Sequence, residues 1–558
     1  MSSTRRYISL LLALTLTGTG AVSQTIVISG AGTISSESGG YVVISGGEFE
    51  LNTDATGSST IDNLVIESNA GVSIPASTSN TINAVTIKSD ASSSGSFING
   101  GTLLGTRTGD VVERYMTKGV WHVISIPVSG QPISDFVTDA GNSIGYNSSL
   151  SAYGMMPYDP VNNVWDDFYT AVSAGNFTVG AGYMVRRKSS GTDGAVTSTG
   201  AIQTGDLNIS GLTAGKWNAI GNPYTSSIGV TSAASTTDNF LDVNAASLDP
   251  SYAALYIWDE QPNYTGPSRS DYKLISNVGY NPELSKDYIQ SGQGFLIKME
   301  SASTALDFTY DMQIYRPAES YLKKSTTPWY GLELSASTET FTGSTILAFH
   351  ENMTTGLDPT YDAGVLKGNP ELALYSRLPD NSGRDLGIQA LPYDGFDSLI
   401  IPIGLDIPAG GPVTFRMENY DLPANAYIKL EDRETGVLTL LQTENETYSV
   451  VVPEGTYGSG RFYLYTGIID QTDTTTTGSQ DLFSKQLKVW SWRKTVYLEG
   501  HLNRGALLSL YATDGRKVSE WIWDGSGSTN AESVENGVYI LLISDREQCG
   551  SYKLLLTE

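Results

Sequence analysis

Apolar residues in this chain come in short runs, and Gly, Ser, Thr, Asn or Asp closes most of them within a few residues. Ile26-Val27-Ile28, Val42-Val43-Ile44, Leu64-Val65-Ile66, Val85-Thr86-Ile87 and Thr102-Leu103-Leu104 set the pattern. An amphipathic helix needs apolar positions three and four apart over ten or more residues, whereas β-branched triplets and period-two alternation suit strands. The pattern predicts an all-β chain. Its 59 glycines, 32 tyrosines and only 16% charged residues agree, since they supply tight turns and half-buried pleated surfaces. A length of 558 residues exceeds one hydrophobic core, so a multidomain protein is expected.

The triplets above recur about every 16 to 22 residues, the length of one coil, so 24–110 is expected to be a β-solenoid-like repeat. A sandwich of regular hairpins is the alternative there. Residues 111–320 carry a duplication, with halves near 121–187 and 217–299. Trp121-His122-Val123-Ile124-Ser125-Ile126-Pro127 is echoed by Trp217-Asn218-Ala219-Ile220-Gly221-Asn222-Pro223. Gly180-Ala181-Gly182-Tyr183-Met184-Val185 is echoed by Gly292-Gln293-Gly294-Phe295-Leu296-Ile297, and Val164-Trp165-Asp166 by Ile257-Trp258-Asp259. The second half is longer by 16 residues, which the Ser- and Thr-rich stretch from Gly229 to Asn239 is expected to hold. Alternation such as Tyr427-Ile428-Lys429-Leu430-Glu431-Asp432 predicts a β-sandwich over 321–468. Residues 469–481 read as a Thr-rich linker with nothing to bury. From 482 to 558 short strands resume, and a seven-stranded small sandwich fits.

Arg5-Arg6, the apolar stretch Tyr7 to Leu16 and Ala21-Val22-Ser23 read as a signal peptide, residues 1–23. No later apolar run approaches a bilayer span, so no transmembrane segment is expected in the mature chain. A net charge of −26 with no basic stripe argues against nucleic acid as a partner. Cys549 is the sole cysteine and His122, His350 and His501 lie far apart, so neither an intrachain disulfide nor a thiolate zinc site is available.

The chain offers little to catalysis. Gly141-Asn142-Ser143-Ile144-Gly145 has the spacing of a nucleophile elbow, but its polar flanks and the absence of a following helical pattern make it a loop. Asp166-Asp167 and Glu431-Asp432 are adjacent carboxylates, which a strand would point to opposite faces, unsuited to acting on one bond. Asp159, Asn162, Asn163, Asp166 and Asp167 form an oxygen-rich loop, open to Ca²⁺ or to a plain turn. Tyr153, Tyr158, Trp165, Phe168, Tyr169, Tyr256, Trp258 and Tyr264 suit either sugar stacking or core edges. No catalytic, cofactor or metal residue is assigned.

The tail carries Leu510-Tyr511-Ala512-Thr513-Asp514-Gly515-Arg516-Lys517-Val518, then Glu535-Asn536-Gly537-Val538-Tyr539-Ile540-Leu541, and a closing Tyr552-Lys553-Leu554-Leu555-Leu556. It resembles the C-terminal sorting domain of proteins exported by the type IX (Por) secretion system of Bacteroidota. The motif residues are Gly515, Arg516, Gly537, Val538, Tyr539 and Lys553, with Gly515 and Gly537 expected at positive φ. Ser491-Trp492-Arg493-Lys494 stands where the family usually has a proline-containing opening. The resemblance implies a small Ig-like sorting sandwich, passage through an outer-membrane translocon, and attachment to anionic lipopolysaccharide by a sortase-like enzyme, or release. It also implies O-glycosylation motifs, matched at Asp473-Thr474-Thr475 and Asp397-Ser398-Leu399, hence Thr474 and Ser398. The function expected is a noncatalytic structural or adhesive protein, secreted or held at the cell surface. A secreted hydrolase or carbohydrate-binding accessory protein is the alternative.

Overall fold

The computed structural model describes residues 25–29, 32–33, 41–51, 60–76, 78–104, 109–235, 237–258, 272–279, 287–315, 329–366, 371–380, 382–441, 446–468, 487–500, 502–512, 516–525, 527–545 and 548–557. The protein is all-β and multidomain, and the only α-helices among these residues are the short Ile133–Thr138 and Phe240–Asn244. Two compact units, Met1–Ile469 and Asp470–Glu558, divide the chain. The expected signal peptide and linker lie outside the described residues.

The first unit begins with strands stacked in parallel. Ile26 lies opposite Val42, Val42 opposite Leu64, Leu64 opposite Val85, and Ile87 opposite Val112. A second parallel ladder aligns Phe49, Val72 and Phe97. Like residues therefore sit in columns, and Ile44, Ile66 and Ile87 are all buried. This sheet does not stop near residue 110. Asp110–Met116 pairs in parallel with Ser79–Ile87 on one side and antiparallel with Gly194–Ile202 on the other.

The halves that follow form two four-stranded sheets of one connectivity. In the first, the spatial order is Trp121–Ile124, Tyr183–Arg186, Met155–Asp159, Val164–Trp165. In the second it is Trp217–Gly221, Gly294–Lys298, Leu255–Trp258, Tyr272–Ile275. Registers also match, with Trp121 opposite Arg186 and Trp217 opposite Lys298. The middle echo read from the sequence is out of register. Tyr158 pairs with Trp165 as Trp258 pairs with Tyr272, so Trp258 corresponds to Tyr158 and Trp165 to Tyr272. An aromatic pair across a hairpin is preserved with its members exchanged, which identity matching cannot detect. The hairpin after Trp258 is also longer than the one after Tyr158, so Gly229–Asn239 does not hold the whole insert.

The halves pack through reciprocal main-chain contacts. Ile124 bridges Gln293, and Ala181 bridges Ile220. Ser125 N–H donates to Gly292 O at 2.9 Å, and Gly221 N–H to Gly180 O at 3.0 Å. Each contact is the other with the halves exchanged, the mark of an isologous, pseudo-two-fold interface.

Residues 330–468 form one eleven-stranded sheet in place of the expected sandwich of two sheets. Val413, Phe415, Tyr448 and Val452 from one end share a core with Ile428, Leu430 and Leu441 from the other, so the sheet rolls round itself into a near-closed barrel. Tyr448 reaches across the gap, its hydroxyl donating to Asp432 Oδ2 at 2.7 Å. Period-two alternation marks a half-buried strand but is silent on whether a second sheet or the same one covers it. Ile346, Ala348, Ile388 and Ala390, on the outside of this sheet, pack with Val123, Met184, Tyr256 and Leu296 of the duplicated halves. That shared core joins the parts of the first unit.

Among the described residues of the second unit, seven strands make two antiparallel sheets, one of three strands and one of four. Val496 and Leu498 from the first share a core with Leu508, Leu510, Leu541 and Leu554 from the second. Ser491 Oγ donates to Leu555 O at 2.6 Å across the opening between them.

Candidate functional site

The family-motif residues of the second unit divide by face. Tyr539 is buried and its hydroxyl donates to Glu535 O at 2.9 Å, which fixes the turn before its strand. Val538, Lys553 and Arg516 are exposed. Gly515 lies outside the described residues, but Ala512 N–H donates to Arg516 O at 2.9 Å across that turn. Gly537 does not adopt the expected positive φ; it starts its strand in ordinary backbone geometry.

Val538 belongs to a wider surface. Leu507 lies opposite Ile522, Tyr511 opposite Ile540, Ile540 opposite Lys553, and Val538 opposite Leu555, all on the outer face of the four-stranded sheet. Leu507, Ile522, Val538, Ile540 and Leu555 are 38, 73, 38, 43 and 58% exposed. The same face also carries Glu520, opposite Ser509 and paired with Lys517, and Lys553, so its exposed apolar residues stand among charged ones. Large exposed apolar side chains gathered on one sheet face suit an interaction surface. The sequence carries the signal, because Leu507-Leu508, Leu541-Leu542 and Leu554-Leu555-Leu556 interrupt the alternation expected of a half-solvated strand. Residues 482–558 hold nine basic and nine acidic side chains, so the whole net charge of −26 arises upstream.

The remaining candidates do not converge. Ser143 sits in left-handed backbone (φ 52°), its carbonyl accepting from Lys188 N–H at 2.8 Å, and a strand at Tyr146–Asn147 follows where an elbow needs a helix. His122 is buried with Nε2 3.0 Å from Thr117 O, while His350 stacks on Trp329 at 4.6 Å and accepts from Asn352 N–H through Nδ1. His501 is outside the described residues. In the oxygen-rich loop Asp159 turns inward, accepting from Val161 N–H at 2.8 Å and from Asn162 Nδ2 at 2.7 Å; Asp166 accepts from Asp167 N–H. Among the described residues, no group of three or more His, Cys, Asp or Glu is arranged to hold a metal.

Most of the aromatic candidates are packing residues. Tyr256 and Trp258 are buried, and Tyr153 and Tyr169 lie against the first core. Trp165 Nε1–H donates to Tyr272 OH at 3.1 Å, and Trp258 Nε1–H to Trp121 O at 2.7 Å, tying the halves together. Phe168 is exposed, 6.4 Å from the Trp121 ring; Tyr264 is outside the described residues. Ser398 is exposed at the end of a 3₁₀ turn, Tyr393–Ser398, whereas Thr474 is outside the described residues. Glu431 and Asp432 do take opposite faces. Glu431 accepts from Tyr465 OH at 2.6 Å on the outside, and Asp432 is buried in a bidentate pair with Arg461 at 2.8 and 2.9 Å.

Three buried polar positions escaped the sequence reading. Asn142 and Asn244 each brace a half. Asp362 is fully buried, accepting from Ala390 and Asp358 N–H groups at 2.7 Å, and burial pushes its carboxyl up to about 7. Asx residues abound in loops, so nothing local distinguishes these from solvated ones.

Residues 35–465 match the model of a domain of unknown function, DUF8693. The chain belongs to that family. The DUF8693 match lies wholly within the first unit and ends before the second, so the apolar face described above lies beyond the matched span. No curated protein matches the chain.

Proposed function

We propose that this protein is a noncatalytic component of the bacterial surface, structural or adhesive, addressed by its second unit to type IX secretion. The observation that carries the reading is the group of exposed apolar side chains on one sheet face of that unit, a compact body outside the DUF8693 span whose residues 482–558 carry no net charge. Such a face serves recognition by export machinery and is of little use to a soluble passenger, for which it is a liability. The seven strands in two sheets suit an Ig-like sorting sandwich, and the parallel columns of the first unit suit a β-solenoid-like spacer. On this reading residues 1–23 are removed on export, the translocon and a sortase-like enzyme are the partners, and anionic lipopolysaccharide is the anchor. Ser398, exposed on its turn, and Thr474 are the O-glycosylation sites.

The test removes residues 482–558 and follows the passenger in a type IX-competent host. The shortened protein should stop in the periplasm with its signal peptide cleaved. The same segment behind a signal peptide and a fluorescent protein should carry the reporter to the surface. Surface arrival of the shortened form would sink the sorting assignment. Ester, peptide or glycoside turnover abolished by Ser143→Ala would replace the noncatalytic reading with a hydrolase.

A further inference from the structure

The outer face of the rolled sheet holds a lysine in unusual surroundings. Lys429 is only 5% exposed, lies on the outer face between Leu440 and Tyr465, and has its ammonium 4.7 Å from the centre of the Tyr427 ring. Lys298 is the instructive comparison. It too lies over a tyrosine, Tyr252 at 4.0 Å, but it also pairs with Asp249 at 3.1 Å. Among the described residues no carboxylate stands within ion-pair distance of Lys429. A lysine stem packed among apolar groups without an acid is costly to keep, and burial lowers the tendency of this ammonium to stay charged.

Its neighbours are flat and aromatic. Tyr427 lies across Gly467, where a Cβ would come within 2.2 Å of the ring. Arg433 covers Tyr463 at 3.4 Å and donates to Glu431 at 2.9 Å, and the Tyr465 hydroxyl bridges the same two groups. Ile400, opposite Tyr465, is 44% exposed and Leu440 37%. Apolar ring faces edged by hydroxyls and a cation match a sugar that carries an acid. In a chain with 59 acidic residues against 33 basic, an unpaired lysine here selects for charge.

We propose that this face binds a carboxylate-bearing glycan, with sugar rings along Tyr427, Tyr465 and Ile400 and a carboxylate paired with Lys429. The assignment rests on the adhesive reading and supplies the ligand class that reading lacks.

The purified full chain is run by affinity electrophoresis through gels containing polygalacturonate, a neutral galactan, or lipopolysaccharide from cells that display the protein. Retardation is expected from polygalacturonate, weakening with salt, and none from galactan. Lys429→Met should weaken binding at least about tenfold and Lys429→Arg should retain it. Leu440→Glu, which leaves the lysine but places an acid opposite it, should act like Lys429→Met. Retardation by lipopolysaccharide as well, lost in the same variants, identifies the cell's own envelope as a source; polygalacturonate alone points to a foreign one. Equal retardation by galactan, no retardation by either acidic polymer, or Lys429→Met and Leu440→Glu behaving as wild type would overturn the proposal. Protease accessibility on intact cells is scored in parallel. Lys429→Met should reach the surface like wild type, so lost binding with intact display concerns this site alone. Wild type absent from the surface would remove the export reading and leave the gel result standing.

Discussion

Asn142 and Asn244 make the same three hydrogen bonds in the two halves of the duplication. Each Nδ2 donates to the carbonyl of a phenylalanine in the short helix of its half, Phe136 or Phe240, at 3.0 Å. Each also donates to a strand carbonyl, Thr197 at 3.1 Å or Asp307 at 2.9 Å, and accepts that residue's N–H through Oδ1 at 2.7 or 2.8 Å. Side-chain amides offer donor and acceptor side by side and so mimic a strand edge. Both residues are at most 2% exposed, so water does not compete.

Asn244→Ala should therefore strip partners from the buried Phe240 carbonyl and from the part-buried N–H and carbonyl of Asp307. We expect a loss of about 3 kcal/mol, since each unsatisfied buried group costs about 1–3 kcal/mol. The urea midpoint of the first unit reads this directly. Asn142→Ala should behave alike, and Asn162→Ala, on an exposed turn, should shift the midpoint little.

The reciprocal interface makes its glycines exacting. A Cβ on Gly182 would lie 2.8 Å from Ile220 O, and one on Gly294 2.6 Å from Val123 Cγ1 and 3.1 Å from Ile124 O. Gly182→Ala should cost about 1–3 kcal/mol, because the strand cannot retreat without losing the Gly182 N–H to Ala219 O bond at 3.0 Å. Gly395→Ala, whose nearest neighbour would be at 3.7 Å, is the control and should unfold near wild type.

Asp362 should give the first unit a component of stability that favours acid. Its carboxyl is raised to about 7 in the fold, chiefly by burial, from an ordinary 3.8. The folded state therefore holds this proton more tightly, and the contribution is full below about pH 4 and lost as pH rises through 7. Asp362→Asn keeps an oxygen for one of the two N–H donors, which address separate carboxylate oxygens, and cannot ionise. Its stability relative to wild type should climb between pH 4 and 7 and level off above. A flat difference across that range would show that the carboxyl titrates normally.

Arg461 should matter in the opposite direction of pH. Burial pushes the Asp432 carboxyl up, but the Arg461 and Tyr448 hydrogen bonds outweigh it and hold the group below its ordinary range. Its stabilisation is then present above about pH 4 and lost as acid protonates it. Arg461→Met should cost about 3–5 kcal/mol near neutrality by stranding a buried charge, with the deficit shrinking below pH 4. Denaturation at pH 7 and pH 3 compares the two.

Sequence alone carried the chemistry that acts locally. β-Branched triplets impose strands because branched Cβ atoms fit a pleated surface, and their recurrence predicts the columns in which Ile44, Ile66 and Ile87 stack. The opposite faces of Glu431 and Asp432 follow from period two alone, and the outer Trp and Gly marks of the duplication kept register because a glycine at a close approach tolerates no substitute. Tertiary structure decided everything set by what lies across a strand. The near-closed barrel depends on which edges meet, and Tyr448 to Asp432 is a contact no spacing predicts. The exchange of Tyr158 and Trp165 for Trp258 and Tyr272 preserves a pair while swapping its members, so only the partner strand reveals it. Asn142, Asn244, Asp362 and Lys429 are ordinary polar letters in a chain full of them, and burial by distant residues alone makes them consequential.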